Sequence, residues 1–292
     1  AKAESAALKE EQKAQIQALK AQHKSSKKTD LEVATAKQEP GDSEAGSGKV
    51  FVLHFEGDVS ASEVEHLRTE VSAVLTLATP KDEVVICIES PGGMVHSYGF
   101  AASQLSRIRA REIPLTVVVD RVAASGGYLM AAVANKIVAA PFALIGSIGV
   151  VAQIPNVHRL LKKNDVDVEV LTAGKYKRTL TTLGENTDEG RAKFIEELED
   201  VHALFQEFVV GNRPDLNIDA VATGEAWYGS RAISLGLVDE LATSDEYLTR
   251  CCEDREVYQV QWVEHQKALD KILGKVNTLV DNVGQMFAPG RH

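Results

Sequence analysis

The chain has 292 residues, 44% of them hydrophobic and 25% charged, the proportions of a folded globular protein with room for one domain plus extensions or two modest domains. Its formal net charge of −10 argues against nucleic acid as the main partner, because phosphate binding needs a basic face. Three cysteines, with Cys251 and Cys252 adjacent, make no disulfide framework, and no cysteine or histidine pair has metal-ligand spacing.

In chain order, residues 1–48 come first as a helical and flexible extension. "AKAESAALKEEQKAQIQALKAQHKSSKK" has strong helix propensity but a thin apolar stripe, and "QEPGDSEAGSG" reads as a linker. Residues 49–245 read as one α/β domain. "KVFVLHFEGDV" is a strand, and "SASEVEHLRTEVSAVLTLA" a helix with a serine cap. "DEVVICIES" and "PLTVVVD" are further strands, with "PGGMVHSYGFAASQLSRIRA" as the turn and helix between them. "SGGYLMAAVA" is a small-residue helix, "KIVAAP" a short strand, "ALIGSIGVVAQ" a loop and strand, and "VDVEVLT" a further strand. Apolar strands alternating with helices indicate a parallel sheet covered on both faces. No glycine-rich nucleotide fingerprint follows the first strand, and no P-loop occurs.

Beyond residue 178 the pattern turns helical, through "TDEGRAKFIEELEDVHALFQEFVVGNRP" and short helices around turn glycines. Residues 246–292 form a C-terminal extension whose apolar positions, Leu269 to Val283, fall on one helical stripe. That stripe suits packing on the domain or on a neighbouring subunit. No apolar run of ~20 residues is present in the chain.

Two glycine pairs carry the chemistry. In "ESPGGMV", Gly92 and Gly93 lie between a buried strand and a helix, where backbone N–H groups can turn toward a negative oxygen. In "AASGGYLMA", Ser125 precedes a second pair, and could be a helix cap, a phosphate cradle or a nucleophile. A nucleophile needs a base. Of the eight histidines, His66 and His202 fall on helix faces, and none sits in a loop beside an orienting aspartate. Lysine is the other candidate, provided that burial or neighbouring cations lower a pKa that starts near ~10.4. "LTAGKYKRTL" offers Lys175 and Lys177.

The motifs "SPGG", "AASGGYLMA", "IGSIGVV" and "AGKYKRT", in that order, resemble those of the SohB and signal peptide peptidase A family of serine peptidases. The resemblance covers about residues 50–245, and the single-copy core with its long N-terminal helix is most similar to the SohB branch. It implies an α/β, Clp/crotonase-like (ClpP-type) core of parallel strands and helices, with helical N- and C-terminal extensions. It also implies a Ser–Lys dyad, with Ser125 as nucleophile, Lys177 as general base, Ser147 orienting the lysine, and the N–H groups of Gly93 and Gly126 as oxyanion hole. No cofactor and no metal are implied.

The same resemblance suggests peptide or unfolded protein substrates, and a homo-oligomeric ring whose sites are shared between subunits. It further suggests association with a bacterial inner membrane through an N-terminal anchor absent from this chain, with the catalytic domain outside the cytoplasm. Two rival functions use the same residues differently. A crotonase-type acyl-CoA enzyme would need the paired N–H groups but no nucleophile. A membrane-tethered scaffold with an inactive domain would need neither.

Overall fold

The computed structural model describes residues 48–263. Strands β1 (Val50–Glu56), β2 (Glu83–Glu89) and β3 (Leu115–Val119) are the three apolar runs anticipated from sequence, and they lie side by side. With β5 (Lys136–Ala139), β8 (Glu240–Leu241) and β9 (Val257–Gln259) they form a six-stranded parallel sheet, ordered β8-β5-β3-β2-β1-β9. Side chains alternate between its faces, as the two-residue repeat of a strand requires. Phe51, Leu53 and Phe55 of β1 enter the larger core, with Leu67 and Val71 of α1 (Val64–Leu77) and Leu105 and Ile108 of α2 (Val95–Arg109). Val50 and Val52 point the other way, toward Tyr247 and Cys251 of α8 (Ser244–Cys251). Each fully buried Leu or Ile in these layers contributes about 1.5–3 kcal/mol of transfer free energy.

One buried carboxylate ties the second layer together. Glu83 Oε1 accepts from Thr116 Oγ1 at 2.6 Å and from the Tyr247 hydroxyl at 2.7 Å, while Oε2 meets Arg255 at 2.6 Å. Burial, with Glu83 beside it, raises the Tyr247 phenol well above its usual pKa.

A smaller sheet sits at the carboxyl end of the larger one. In it β4 (Val122–Ala124) pairs parallel with β6 (Leu144–Gly146), which pairs antiparallel with β7 (Ala226–Tyr228). A bridge between Ser90 and Ala123 joins the end of β2 to β4. Helix α3 (Gly126–Ala131) leaves β4 directly, and α4 (His158–Lys163) is a single short helix in a long loop. Helix α5 (Asp188–Asn212) opens on Thr187, whose hydroxyl accepts the Gly190 N–H at 3.1 Å. The short α6 (Ile218–Val221) and α7 (Gly229–Ala232) follow.

Several local expectations change. No serine caps α1: Glu63 holds the N-cap position without a side-chain capping bond, and the Ser60 and Ser62 N–H groups instead turn onto the Asp58 carboxylate. "VDVEVLT" forms no strand, because residues 166–172 find no sheet edge and stay mostly exposed. Strand β9, within the stretch expected to be a helical extension, takes the edge beside β1 in the register Val50↔Val257. Strands of two or three residues are too short to show alternation, which is why β4, β7, β8 and β9 had no signal. The N-terminal extension through residue 47 and the apolar stripe from Leu269 lie outside the described residues.

Candidate active site

Ser125 sits between the last residue of β4 and the first of α3, at φ 50° and ψ −118°. A non-glycine residue rarely adopts positive φ, and such strain persists only where its surroundings enforce it. Here the Ser125 N–H donates to the Gly146 carbonyl at 2.8 Å, and its own carbonyl accepts the Leu129 N–H at 2.9 Å. Strand β6 and helix α3 thus hold the residue from both sides. Its side chain is half-buried, and its hydroxyl makes no hydrogen bond among the described residues.

The glycines around it are forced by contact. A Cβ on Gly126 would stand 2.3 Å from the Tyr98 ring, and one on Gly127 2.5 Å from the Ser90 carbonyl. Gly92, at φ 89°, would push a Cβ to 2.7 Å from both the Ser125 Cβ and the Gly126 nitrogen. A Cβ on Gly93 would meet the Val59 carbonyl at 2.1 Å. The Pro91–Gly93 loop is therefore pressed between the turn after β1 and the start of α3. Its neighbours are anchored, since the Gly92 N–H donates to Ser90 Oγ at 3.1 Å and the Met94 N–H to the Val59 carbonyl at 2.8 Å. Between them the exposed Gly93 N–H has no acceptor among the described residues.

Two cavities open at Ser125. One, of 280 Å³, is lined by Gly93, Gly99, Ser125 and Leu129, and by Leu204, Phe205 and Phe208 of α5. The other, of 540 Å³, carries Gly92, Gly93, Ser125, Ser147, His202 and Gly224. Ser147 also has positive φ (52°), its N–H donating to the Glu225 carbonyl at 2.6 Å and its hydroxyl reaching Gly224 O at 3.4 Å. Four of the five residues singled out from sequence, Ser125, Ser147, Gly93 and Gly126, thus surround one pair of cavities.

Lys177 does not line either of them. It lies on an exposed turn, its N–H bonded to the Gly174 carbonyl at 3.2 Å. Lys175 is engaged elsewhere. Its ammonium sits 2.9 Å from Glu189 Oε1 and 4.9 Å from the Tyr176 ring centre. Bonds to Tyr176 and then Glu189 raise its pKa well above the usual lysine range. The Lys175 ammonium is thus already partnered, whereas the Lys177 side chain has no ion pair among the described residues. Both belong to a stretch, residues 151–187, in which Gly184 alone is buried. Val151 and Leu171 there are 91% and 88% exposed.

His202 is the cavity residue that sequence reasoning set aside, because mid-helix spacing does not say what a helix covers. Its ring nitrogens lie 3.2 and 3.4 Å from Gln206 Nε2. Among the described residues no group of three or more His, Cys, Asp or Glu side chains is arranged to hold a metal ion.

Residues 107–258 match the profile of peptidase family S49, and residues 2–105 match that of its N-terminal region. The chain belongs to peptidase family S49. Its core is the α/β arrangement expected from sequence, a parallel central sheet packed with helices. Within it, the chain is 60% identical over 226 residues to a probable protease SohB of Haemophilus influenzae, covering 77% of this chain and 64% of that one. A probable protease SohB of Buchnera aphidicola subsp. Acyrthosiphon pisum is 51% identical over 228 residues, 78% of this chain and 68% of its own. A putative protease of Methanocaldococcus jannaschii is 30% identical over 185 residues, 62% of this chain and 59% of its own. The chain thus spans about two thirds of the length of its SohB relatives.

Proposed function

We propose that this chain is a serine endopeptidase in which Ser125 is the nucleophile and Lys177 the general base. The observation that carries the reading is Ser125 itself, a strained residue with an unbonded hydroxyl at the meeting of two cavities, flanked by the backbone of Gly93 and Gly126. Strain, exposure and adjacent N–H groups are what a nucleophile with an oxyanion hole requires. Neutral Lys177 takes the Ser125 proton as Oγ attacks a peptide carbonyl, and the N–H groups of Gly93 and Gly126 receive the oxyanion. Collapse of the tetrahedral intermediate expels the amine, which takes its proton from Lys177. Water then hydrolyses the acyl-enzyme through the same lysine. Ser147, on the rim beside Ser125, orients the amine.

Lys177 reaches a serine of a neighbouring copy. The absence of Lys177 from the cavity walls at its own Ser125, and the exposed apolar side chains of residues 151–187, both favour this arrangement. A segment with one buried residue gains stability by burying Val151, Leu160 and Leu171 against another surface. We read that surface as the next subunit of a ring with shared sites. Substrates are unfolded peptides with an apolar residue before the scissile bond, seated in the 280 Å³ cavity against Leu204, Phe205 and Phe208. Remnant signal peptides have that character, and a membrane-anchored enzyme would meet them at the bacterial inner membrane.

Complementation tests both parts. Ser125→Ala and Lys177→Ala proteins are each expected to be inactive, and their mixture after subunit exchange to recover cleavage of an apolar peptide. An active Ser125→Ala protein rejects the nucleophile, and a mixture that stays inactive rejects sharing.

A second reading has one observation behind it, since His202 lines the same cavity as Ser125. Activity surviving in Lys177→Ala but lost in His202→Ala would select the histidine.

A further inference from the structure

Building on the peptidase reading, we propose that Tyr98 and Ser90 are positioning residues, a buried pair that sets the spacing between the Gly93 and Gly126 N–H groups. The pair touches both loops at once. Ser90 Oγ and the Tyr98 hydroxyl are 2.5 Å apart, and both residues are 0% exposed. On one side, Ser90 Oγ accepts the N–H of Gly92, the residue before Gly93. On the other, the Tyr98 ring fills the place that a Gly126 Cβ would take. The Tyr98 hydroxyl reaches on to the Asp58 carbonyl at 2.7 Å.

The direction of every proton in this chain follows from counting donors. A backbone carbonyl only accepts, so the single Tyr98 hydroxyl hydrogen goes to Asp58. Tyr98 must then accept from Ser90, which spends its own hydrogen there and keeps a lone pair for the Gly92 N–H. The order is Gly92 N–H to Ser90, Ser90 to Tyr98, Tyr98 to Asp58, with no alternative arrangement. Burial raises the Tyr98 pKa, which keeps that hydrogen in place. The free Gly93 N–H is thereby held one residue beyond a fixed point, and the Gly126 Cα is held against the ring that carries the same hydroxyl. Donors aimed before the reaction need no reorganisation when the oxyanion forms.

Tyr98→Phe keeps the ring behind Gly126 and removes only the hydroxyl, while Ser90→Ala removes the acceptor for Gly92. Both substitutions reduce volume without adding any group to clash, and melting curves for each establish folding, so either folded variant decides the outcome. In steady-state cleavage of an apolar peptide, kcat should fall about tenfold or more in each, with KM within about twofold. A peptide aldehyde, whose hemiacetal oxygen occupies the oxyanion hole, should lose affinity by a similar factor. Binding of the uncleaved peptide to Ser125→Ala should not change when Tyr98→Phe is added. The double variant should be no slower than the worse single one, as members of one chain are not additive. Unchanged kcat and aldehyde affinity in a folded variant, or a loss confined to KM, would overturn the inference. Cleavage that persists in Ser125→Ala would instead overturn Ser125 as the nucleophile, so the two failures are distinct.

Discussion

At Ser125 the backbone does work that no side chain could do. Its φ of 50° is sustained by bonds to Gly146 and Leu129, and by glycines that leave no room for a methyl group. Gly126→Ala puts a Cβ 2.3 Å from the Tyr98 ring, an overpacking that costs about 1–3 kcal/mol. It also moves the N–H beside the nucleophile. The expected outcome is a lowered melting temperature with kcat reduced about a hundredfold, read by calorimetry and by peptide cleavage on the same preparation. The serine and both glycine pairs were legible as motifs, because such turns need glycine locally. The strain at Ser125 was not, since it is imposed by strands that lie apart in sequence. Lys177 was named from its motif, and the structure adds that Lys175 is held in an ion pair with Glu189 beside the Tyr176 ring.

At the scale of elements, α5 is the informative case. Its amphipathic pattern and its start at Thr187 were readable, but not that Leu204, Phe205 and Phe208 close an apolar cavity at the serine. Facing them, Gly99 of α2 lines the same cavity, and a Cβ added there would meet nothing within 4 Å. Gly99→Leu should therefore fold at least as well, as leucine favours a helix by about 0.5–0.8 kcal/mol over glycine. It should fill the cavity, shifting kcat/KM toward peptides with alanine rather than phenylalanine before the cleaved bond. A peptide series varied at that one residue measures the shift, and an unchanged preference would place substrate elsewhere. The segment "VDVEVLT" is the opposite lesson: apolar and β-branched residues alternate well there, yet residues 166–172 form no strand. Propensity favours an extended chain, but a strand exists only where an edge is available to pair with it.

For the whole molecule, Asp239 connects the last turn of α5 to the sheet. It receives the Ile137 N–H at 2.7 Å and two bonds from Arg213, at 2.6 and 3.0 Å. Burial disfavours its charge, yet the Arg213 guanidinium and the Ile137 N–H outweigh burial and hold its pKa below the usual aspartate value. A carboxylate so depressed contributes stability above its unfolded pKa of about 3.9, and loses it as pH falls through the lower folded value. Wild-type melting temperature should accordingly drop steeply below about pH 4. Asp239→Asn should lower it by roughly 2–8 °C at pH 7 and shrink the acid dependence, which thermal melts from pH 2 to 8 would reveal. An identical pH profile in the variant would remove Asp239 from the account.

The sequence by itself determined the four central strands of the larger sheet, the class of fold, and the candidate serine with its glycines. Each of these is encoded in neighbouring residues, through side-chain period, apolar runs and turns that only glycine fits. Tertiary structure alone decided which helix covers the serine, which strands take the edges, and that residues 151–187 bury almost nothing in their own chain. It also decided that a buried tyrosine and serine stand between the two glycine loops. Those outcomes depend on contacts between residues far apart in the chain, and a contact is a property of packing, to which no local pattern gives access.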